Sequence, residues 1–463
     1  MTDEFNLALA GDAILTRRLS ALDSPRLDAT VDRLRDADVT VANLEVLPIE
    51  EDAGTPAADS GGTYMRAPPW VLDELESAGI DLFPAATNHA GDYGHDGMRA
   101  AMAELESRDL PFAGLGRTLA RARQPAYVDT PGGRVALVAA TSTITPGSAA
   151  GAQRPDFQGR PGVAPLRLET SYVVPESAHE RVRELSERLG LEGVKERRAD
   201  LGFPVPGEDD EGFGLLNVGG GGHLSFEIGE EYGVRRRANE TDRRAVLDQI
   251  RAANRQSDWV VASLHAHEGR DGRTNDRSVP AFLESFAQDC VDAGADAFLG
   301  HGPHLLRRVE VYDGAPVFYS LGDFAMQNET VGRLPADIYE RCDLDPQVAE
   351  PADLYDARTY QTGDEGDEVT DSADRIGFLA DDGFWEGVVP VCRFDDGIAA
   401  VDLHPLDLGA EKPRPGRGWP HAAEDEHARR ILEGLAELSE PYGTEIAVEE
   451  RESGVVGVVH PEA

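Results

Sequence analysis

Five short apolar runs of this 463-residue chain each stop on a side chain able to bind a metal or carry a proton. FNLALAGD ends at Asp12, VTVANLEV at Asn43 and Glu45, and IDLFPAATN at Asn88, with His89 behind it. WVVASL runs into His265 and His267, and ADAFL into His301 and His304. Helical patterns separate the runs, among them 24–36, 97–108 and TDRRAVLDQIRAAN with Thr241 as its N-cap. Strands alternating with helices require right-handed crossovers and a largely parallel core, with chemistry gathered at the carboxyl ends of the strands. An α/β fold in which these residues share one site is the expectation.

Three hairpins complete the core: AYVDT-PGG-RVALVAATS, LLRRVEVYDGAPVFYS turning at Asp313-Gly314, and WEGVVPVCRF-DDG-IAAVDLHPL. Two stretches interrupt it. Residues 166–240 read as an insertion that caps the site, with a helix over 177–189 and a flexible acidic, glycine-rich piece over 207–222. Residues 325–383, strongly acidic from 336 onward, read as a second insertion or lid. The main domain is placed at 1–410, and 411–463 is expected to be a peripheral helical extension.

Charge decides what the surface can meet. There are 86 acidic residues against 44 basic ones, a formal net charge of −42, and only two lysines, Lys195 and Lys412. Acid spread along the whole chain suits a halophilic protein, since the Debye length falls to about 3 Å at 1 M salt. It leaves no basic face for nucleic acid. Three scattered cysteines form no disulfide framework or paired zinc site. The first residues lack a signal-peptide pattern and no uncharged run approaches the ~20 residues of a membrane span. A soluble, cytoplasmic protein without a membrane segment is expected, its oligomeric state not readable.

The strand-end set mixes carboxylate, amide and imidazole with no thiolate. That suits one or two divalent ions, Mn2+, Zn2+ or Fe, rather than calcium, which wants oxygen alone. A metal pair can clamp a phosphoryl group and activate water. Two further candidates are open. Asp323 after Gly322 either joins the set or closes a turn. His267 is taken to be turned away from His265 by strand alternation. Arg160 in GRPG and Arg167 either grip an anionic substrate beneath the cap or pair with the acidic surface.

In order, GDAIL, VANLE, ATNHAGDYG, the histidine strand, GHGPH and FYSLGDF resemble the CapA family, named for poly-γ-glutamate capsule synthesis, within the calcineurin-like metallophosphatase superfamily. The resemblance runs from about residue 5 to 324. It implies a four-layer α-β-β-α metallophosphatase-like sandwich with insertions, its metal ligands on loops at one edge. Carried over, Asp12 matches the first motif's aspartate, while Asn43 and Glu45 stand where a bridging carboxylate belongs. Asn88 matches a ligand, His89 the histidine that contacts the phosphoryl group, and His265, His301 and His304 the later histidine motifs. Three departures stand out. Ile14 occupies a ligand histidine's place, Gly302-Pro303 lengthens the closing motif, and His265-Ala266-His267-Glu268 replaces His-Trp-Gly. His267 or Glu268 is the candidate substitute for the missing ligand. The resemblance implies a metal-dependent hydrolase acting on a small-molecule phosphoester or on a polyanion of the poly-γ-glutamate type. The alternative is a non-catalytic metal- or polyanion-binding accessory protein of capsule synthesis.

Overall fold

A computed structural model describes residues 5–205, 212–216, 223–359, 376–394 and 397–460. Two sheets form its centre. One has six strands, ordered Val309–Tyr312, Ala315–Phe318, Ala297–His301, Trp259–His265, Gly133–Thr141 and Ala126–Thr130. Its four inner strands are parallel and its outer pairs are antiparallel hairpins. The Asp313-Gly314 turn has both residues at positive φ (46° and 78°), the conformation a tight hairpin needs.

The second sheet has eight strands around Phe5–Ile14. Val39–Asn43 lies parallel along one side of that strand, and Asp323–Met326 and Glu386–Phe394 share the other. Glu386–Phe394 already runs antiparallel to Phe5–Ile14, and the pairing stays antiparallel through Ile398–Asp407, Gly454–Val459 and Ala447–Arg451. The largely parallel core is therefore confined to the six-stranded sheet and the start of this one.

Strand alternation sorts the layers. Leu7, Leu9, Val39 and Val41 face Leu137, Val261 and Leu299 across the space between the sheets. The opposite faces carry Ala8, Ala10 and Ala42 against helices Pro25–Asp36 and Trp70–Ser77. On the other side, Val138, Val260 and Ala262 pack on helices Glu240–Asn254 and Ala281–Asp292. Helix, sheet, sheet and helix are four layers, as expected. Each fully buried Leu or Val in them contributes roughly 1.5–3 kcal/mol.

Several local expectations change. Asn239, not Thr241, caps the helix Glu240–Asn254, its side chain accepting from the Asp242 amide. The run ending at Asn88 keeps only Phe83–Pro84 as strand. The first insertion builds its own four-stranded sheet (Leu168–Val174, Gly212–Leu216, His223–Ile228, Gly233–Ala238) with helices Glu176–Arg188 and Leu191–Asp200. Within the stretch expected to be flexible, 212–216 is strand, while 206–211 and 217–222 lie outside the described residues. In the second insertion, helices Ala336–Glu340 and Pro351–Thr359 are present and 360–375 lie outside the described residues.

The 411–463 segment is not peripheral. Helix Asp425–Ser439 drives Ala428, Ile431, Leu432 and Leu435 into the space between the sheets, and Gly454–Val459 pairs with Ile398–Asp407. Pairing with a strand some fifty residues away leaves no local signal, whereas the helix shows its own periodicity. Among the described residues, no helix is long and apolar enough to cross a membrane.

Candidate functional site

The ligand-competent residues converge because of one irregularity. Leu7 and Leu9 point between the sheets, so strict alternation would put Gly11 there and turn Asp12 outward. The ladder instead shifts register between Ala10 and Asp12, and again after Asp12. Such a bulge re-aims a side chain, and Asp12 swings inward beside Asn43, its register partner. Gly11 is obligatory at this crossing: a Cβ there would stand 1.8 Å from the Gly322 carbonyl oxygen. Across the same seam Asp12 pairs with Asp323. His265 and His301 are also register partners, at the ends of adjacent parallel strands.

Asp12, Asn43, Glu45, His265 and Asp323 are fully buried, and Asn88, His267, His301 and His304 nearly so. The Asn43 amide donates to Asp12 Oδ1 (2.6 Å), and the Gly302 N–H donates to Asp12 Oδ2 (2.8 Å). His265 Nδ1 lies 2.9 Å from His301 Nδ1, and His265 Nε2 lies 2.9 Å from Asn88 Oδ1 and 3.0 Å from His267 Nε2. His304 Nδ1 is 2.9 Å from Asp323 Oδ1. Three sets of donor atoms lie within 4.8 Å of one another: Asp12, His265 and His301; Glu45, His267 and His304; and Asp12, Glu45, His304 and Asp323.

Three of the imidazoles are held from behind. Ser263 Oγ meets His301 Nε2 at 2.7 Å, Asn275 Oδ1 accepts from His267 Nδ1 at 2.7 Å, and Asp92 accepts from His89 Nδ1 at 2.7 Å. Asp92 is itself fixed by the amides of Gly61 and Met65. Asn88 donates to the Gly61 carbonyl (2.8 Å), which aims its Oδ1 at the cluster. These partners fix tautomer and orientation, as outer residues do for metal-ligating histidines. His304 (φ 58°) and Asn275 (φ 50°) hold left-handed backbone conformations to reach their places.

Electrostatics favours cation binding. Burial, then the neighbouring imidazoles, pushes His265 well below its usual value, and burial likewise lowers His267. Burial, against the pull of Asp12, brings His301 down to about 4. Neutral rings keep lone pairs for a metal. Burial also tends to lower His304, but Asp323 and Asp12 outweigh it and leave that imidazole raised. Burial, then Asp12 and Asp323, pushes Glu45 well up, and burial raises Asp323 to about 6 against His304. Both Glu45 oxygens, Asn43 Oδ1 and Asp323 Oδ2 are buried with no hydrogen-bond donor facing them among the described residues. Imidazole nitrogens about 2.0–2.1 Å from one ion sit about 3 Å apart, which is the spacing seen here. The residues fit a divalent ion.

The two open candidates resolve geometrically. Asp323 joins the cluster. His267 faces His265 after all, because residues two apart share a strand face and the strand ends at His265. Glu268 stays out, tied to Ser142 Oγ (2.8 Å) and Thr143. Ile14 packs with Met65 and Val331 and supplies no ligand. Arg167 does not reach the cluster: its Nε and Nη2 clamp buried Asp242 at 2.6 and 2.8 Å, an inward pairing with one buried acid rather than a grip on substrate or on the acidic surface. Arg160 donates to the Ala149 carbonyl (3.1 Å) and also lies outside it. Sequence reasoning missed Asp92, Ser263 and Asn275. The first sits within NHAGD and the second two residues before His265, so both had a signal; Asn275 had none.

A four-layer α/β sandwich with a buried carboxylate, amide and imidazole cluster at its strand ends defines a protein of the metallophosphatase-like class. The particular branch follows from comparison with known proteins. The chain belongs to the family described as "Bacterial capsule synthesis protein PGA_cap", whose model matches residues 6–328. It is 34% identical over 457 residues to "Uncharacterized protein y4sH" of Sinorhizobium fredii, covering 97% of this chain and 93% of that protein. It is 21% identical over 291 residues to "Capsule biosynthesis protein CapA" of Bacillus anthracis, covering 63% of this chain and 51% of the relative. A 78-residue match, 40% identical, covers 17% of this chain and 19% of "PGA biosynthesis protein CapA" of Bacillus subtilis.

Proposed function

We propose that this protein is a metal-dependent hydrolase whose buried cluster binds one or two divalent cations and acts on a phosphoester, with a γ-glutamyl polymer as the alternative substrate. The observation that carries the reading is the unpartnered oxygen of Glu45, Asn43 and Asp323 set among imidazoles kept neutral. Buried carboxylates without a donor are costly unless a cation faces them. Asp12, Asn43, Glu45, Asn88, His265 and His301 hold the metal, with His304, His267 and Asp323 completing the shell. His267 takes the part that Ile14 leaves vacant.

Bound divalent cations supply Lewis-acid polarisation and lower the pKa of water. The chain's own contribution is positional. His89 gives its Nδ1–H to Asp92, so its Nε2 is the atom available to a phosphoryl or leaving-group oxygen, and it can pass that oxygen a proton when the ring is doubly protonated. Ser263 and Asn275 keep His301 and His267 from rotating. The names of the Bacillus relatives support a place in capsule polymer metabolism, and the strongly acidic surface suits a protein working beside a polyanion without adhering to it.

The test is elemental analysis together with hydrolysis of bis-4-nitrophenyl phosphate by Mn2+-loaded protein. His89→Asn is expected to retain metal and lose at least tenfold in kcat, while His301→Ala loses both. Absence of bound metal after loading sinks the reading. A second reading, a non-hydrolytic accessory protein, is favoured by Ile14 in its apolar cluster. Full metal occupancy with no turnover of any phosphodiester or polyglutamate would select it.

A further inference from the structure

Beside the cluster lies a cavity of about 270 Å³ whose walls come mostly from the second insertion. It meets the metal centre twice. Asn275 lines it and also holds His267, and the Phe378 ring lies edge-on to His304 with centroids 5.4 Å apart. Phe378 packs edge-to-face on Phe384 (4.8 Å), and the Trp385 indole N–H donates to the Phe378 carbonyl (2.8 Å). Three aromatic side chains thus form one wall, each fixed by another. Its volume is at the small end of ligand pockets, room for one ring system.

The polar groups on the lining are unevenly engaged. Glu329 is neutralised by Arg417, with contacts of 2.8 Å from both Nε and Nη2. Asn328 Oδ1 is buried, its residue 8% exposed, with no hydrogen-bond partner among the described residues, and the Tyr355 hydroxyl is buried beside Thr63. Arg358 donates to Thr63 Oγ1 (2.7 Å) and faces no carboxylate within ion-pair distance among the described residues. Thr63 follows Gly61 and Gly62, the strip that holds Asn88 and borders His89. A cation in this acidic chain therefore stands between the aromatic wall and the metal centre.

Resting on the metal-centre reading above, we infer that this cavity is the specificity pocket for a planar aryl or heteroaryl group carried next to the anionic scissile centre. The ring stacks among Phe378, Phe384 and Trp385, where aromatic pairs prefer offset or edge contacts. Its polar edge meets Asn328 and Tyr355, and Arg358 holds the adjoining anion. A substrate with an alkyl group in the same place leaves the buried Asn328 oxygen unanswered and loses the stacking.

Two non-hydrolysable probes with the same charged head separate ring from anion: phenylphosphonate and methylphosphonate. Titration calorimetry on Mn2+-loaded protein is expected to show phenylphosphonate binding at least tenfold more tightly. Phe384→Ala should bring that ratio below threefold. Phe384→Leu, which keeps apolar volume and loses the ring, should lower the ratio at least threefold and serves if the alanine variant does not fold. Equal affinity for the two probes in the wild type, or an unchanged ratio in Phe384→Leu, overturns the pocket. Repeating the titrations after chelation reads the metal centre separately. If phosphonate affinity is the same with and without Mn2+, the metal-centre reading has failed, whatever the ring preference.

Discussion

Replacing Glu45 by Gln should move stability in opposite directions with and without metal. Both Glu45 oxygens are fully buried and unpartnered, and Asp12 and Asp323 stand beside them. A carboxyl whose folded pKa is raised weakens the fold as pH rises above its ordinary value, so near pH 7 an ion-free wild type bears the cost of either burying that charge or taking up a proton there. An unsatisfied buried group costs about 1–3 kcal/mol, more if charged. Gln removes the charge, keeps the shape and can donate to Asp12. In chelator, Glu45→Gln should therefore be more stable by roughly 2 kcal/mol, or about 2–4 °C in melting temperature for a chain of this size. With Mn2+ the order reverses. At a hundredfold excess over Kd, binding stabilises the wild type by about 2.7 kcal/mol; a variant bound a hundredfold more weakly keeps only about 0.4 kcal/mol. Differential scanning calorimetry with EDTA and with Mn2+ reads both arms. A variant less stable than wild type in EDTA, or equally stabilised by Mn2+, would refute the argument that Glu45 is held for a cation.

Three other outcomes follow from the structure. Gly11→Ala must part the Phe5–Ile14 and Asp323–Met326 strands, because its Cβ would meet backbone at 1.8 Å; a loss beyond the usual 1–3 kcal/mol of overpacking is expected, with metal content falling in parallel. Asp242→Ala strips the partner from Arg123 and Arg167 (2.6 Å each) and should cost about 3 kcal/mol with unchanged metal content; altered KM but unaltered melting in Arg167→Ala would restore the substrate-gripping role. Burial raises Asp296 to about 6 against a hydrogen bond from the Val260 amide. Its ionisation weakens the fold progressively as pH rises from the ordinary carboxylate value through 6, so Asp296→Asn should be more stable than wild type at pH 8, on the order of 1–2 kcal/mol after allowance for partial exposure, and the gap should shrink toward pH 5. A constant gap across that range would show that Asp296 is not the titrating group.

What the chain declares by itself is whatever short-range physics writes into it. Short apolar runs marked the strands, and the polar residue at each run's end marked the site edge, since a buried parallel strand has only its end free to present a polar group. Asp12, Asn88, His265 and His301 were legible on those grounds, and so were the three hairpins. The rest required the chain to close on itself. The inward turn of Asp12 depends on Gly322, more than three hundred residues away, filling the space a side chain at position 11 would need. Arg167 follows Asp242 rather than a substrate because a buried acid outcompetes a solvent-facing role. Asn275 supports His267 only through a left-handed backbone in a loop. The strands Ala447–Arg451 and Gly454–Val459 complete a sheet whose central strand was laid down by the first residues of the chain. Local pattern selects elements and their ends; contacts between distant segments decide which polar groups meet, and here those contacts make the difference between a row of strand-end residues and one buried cluster able to hold a metal.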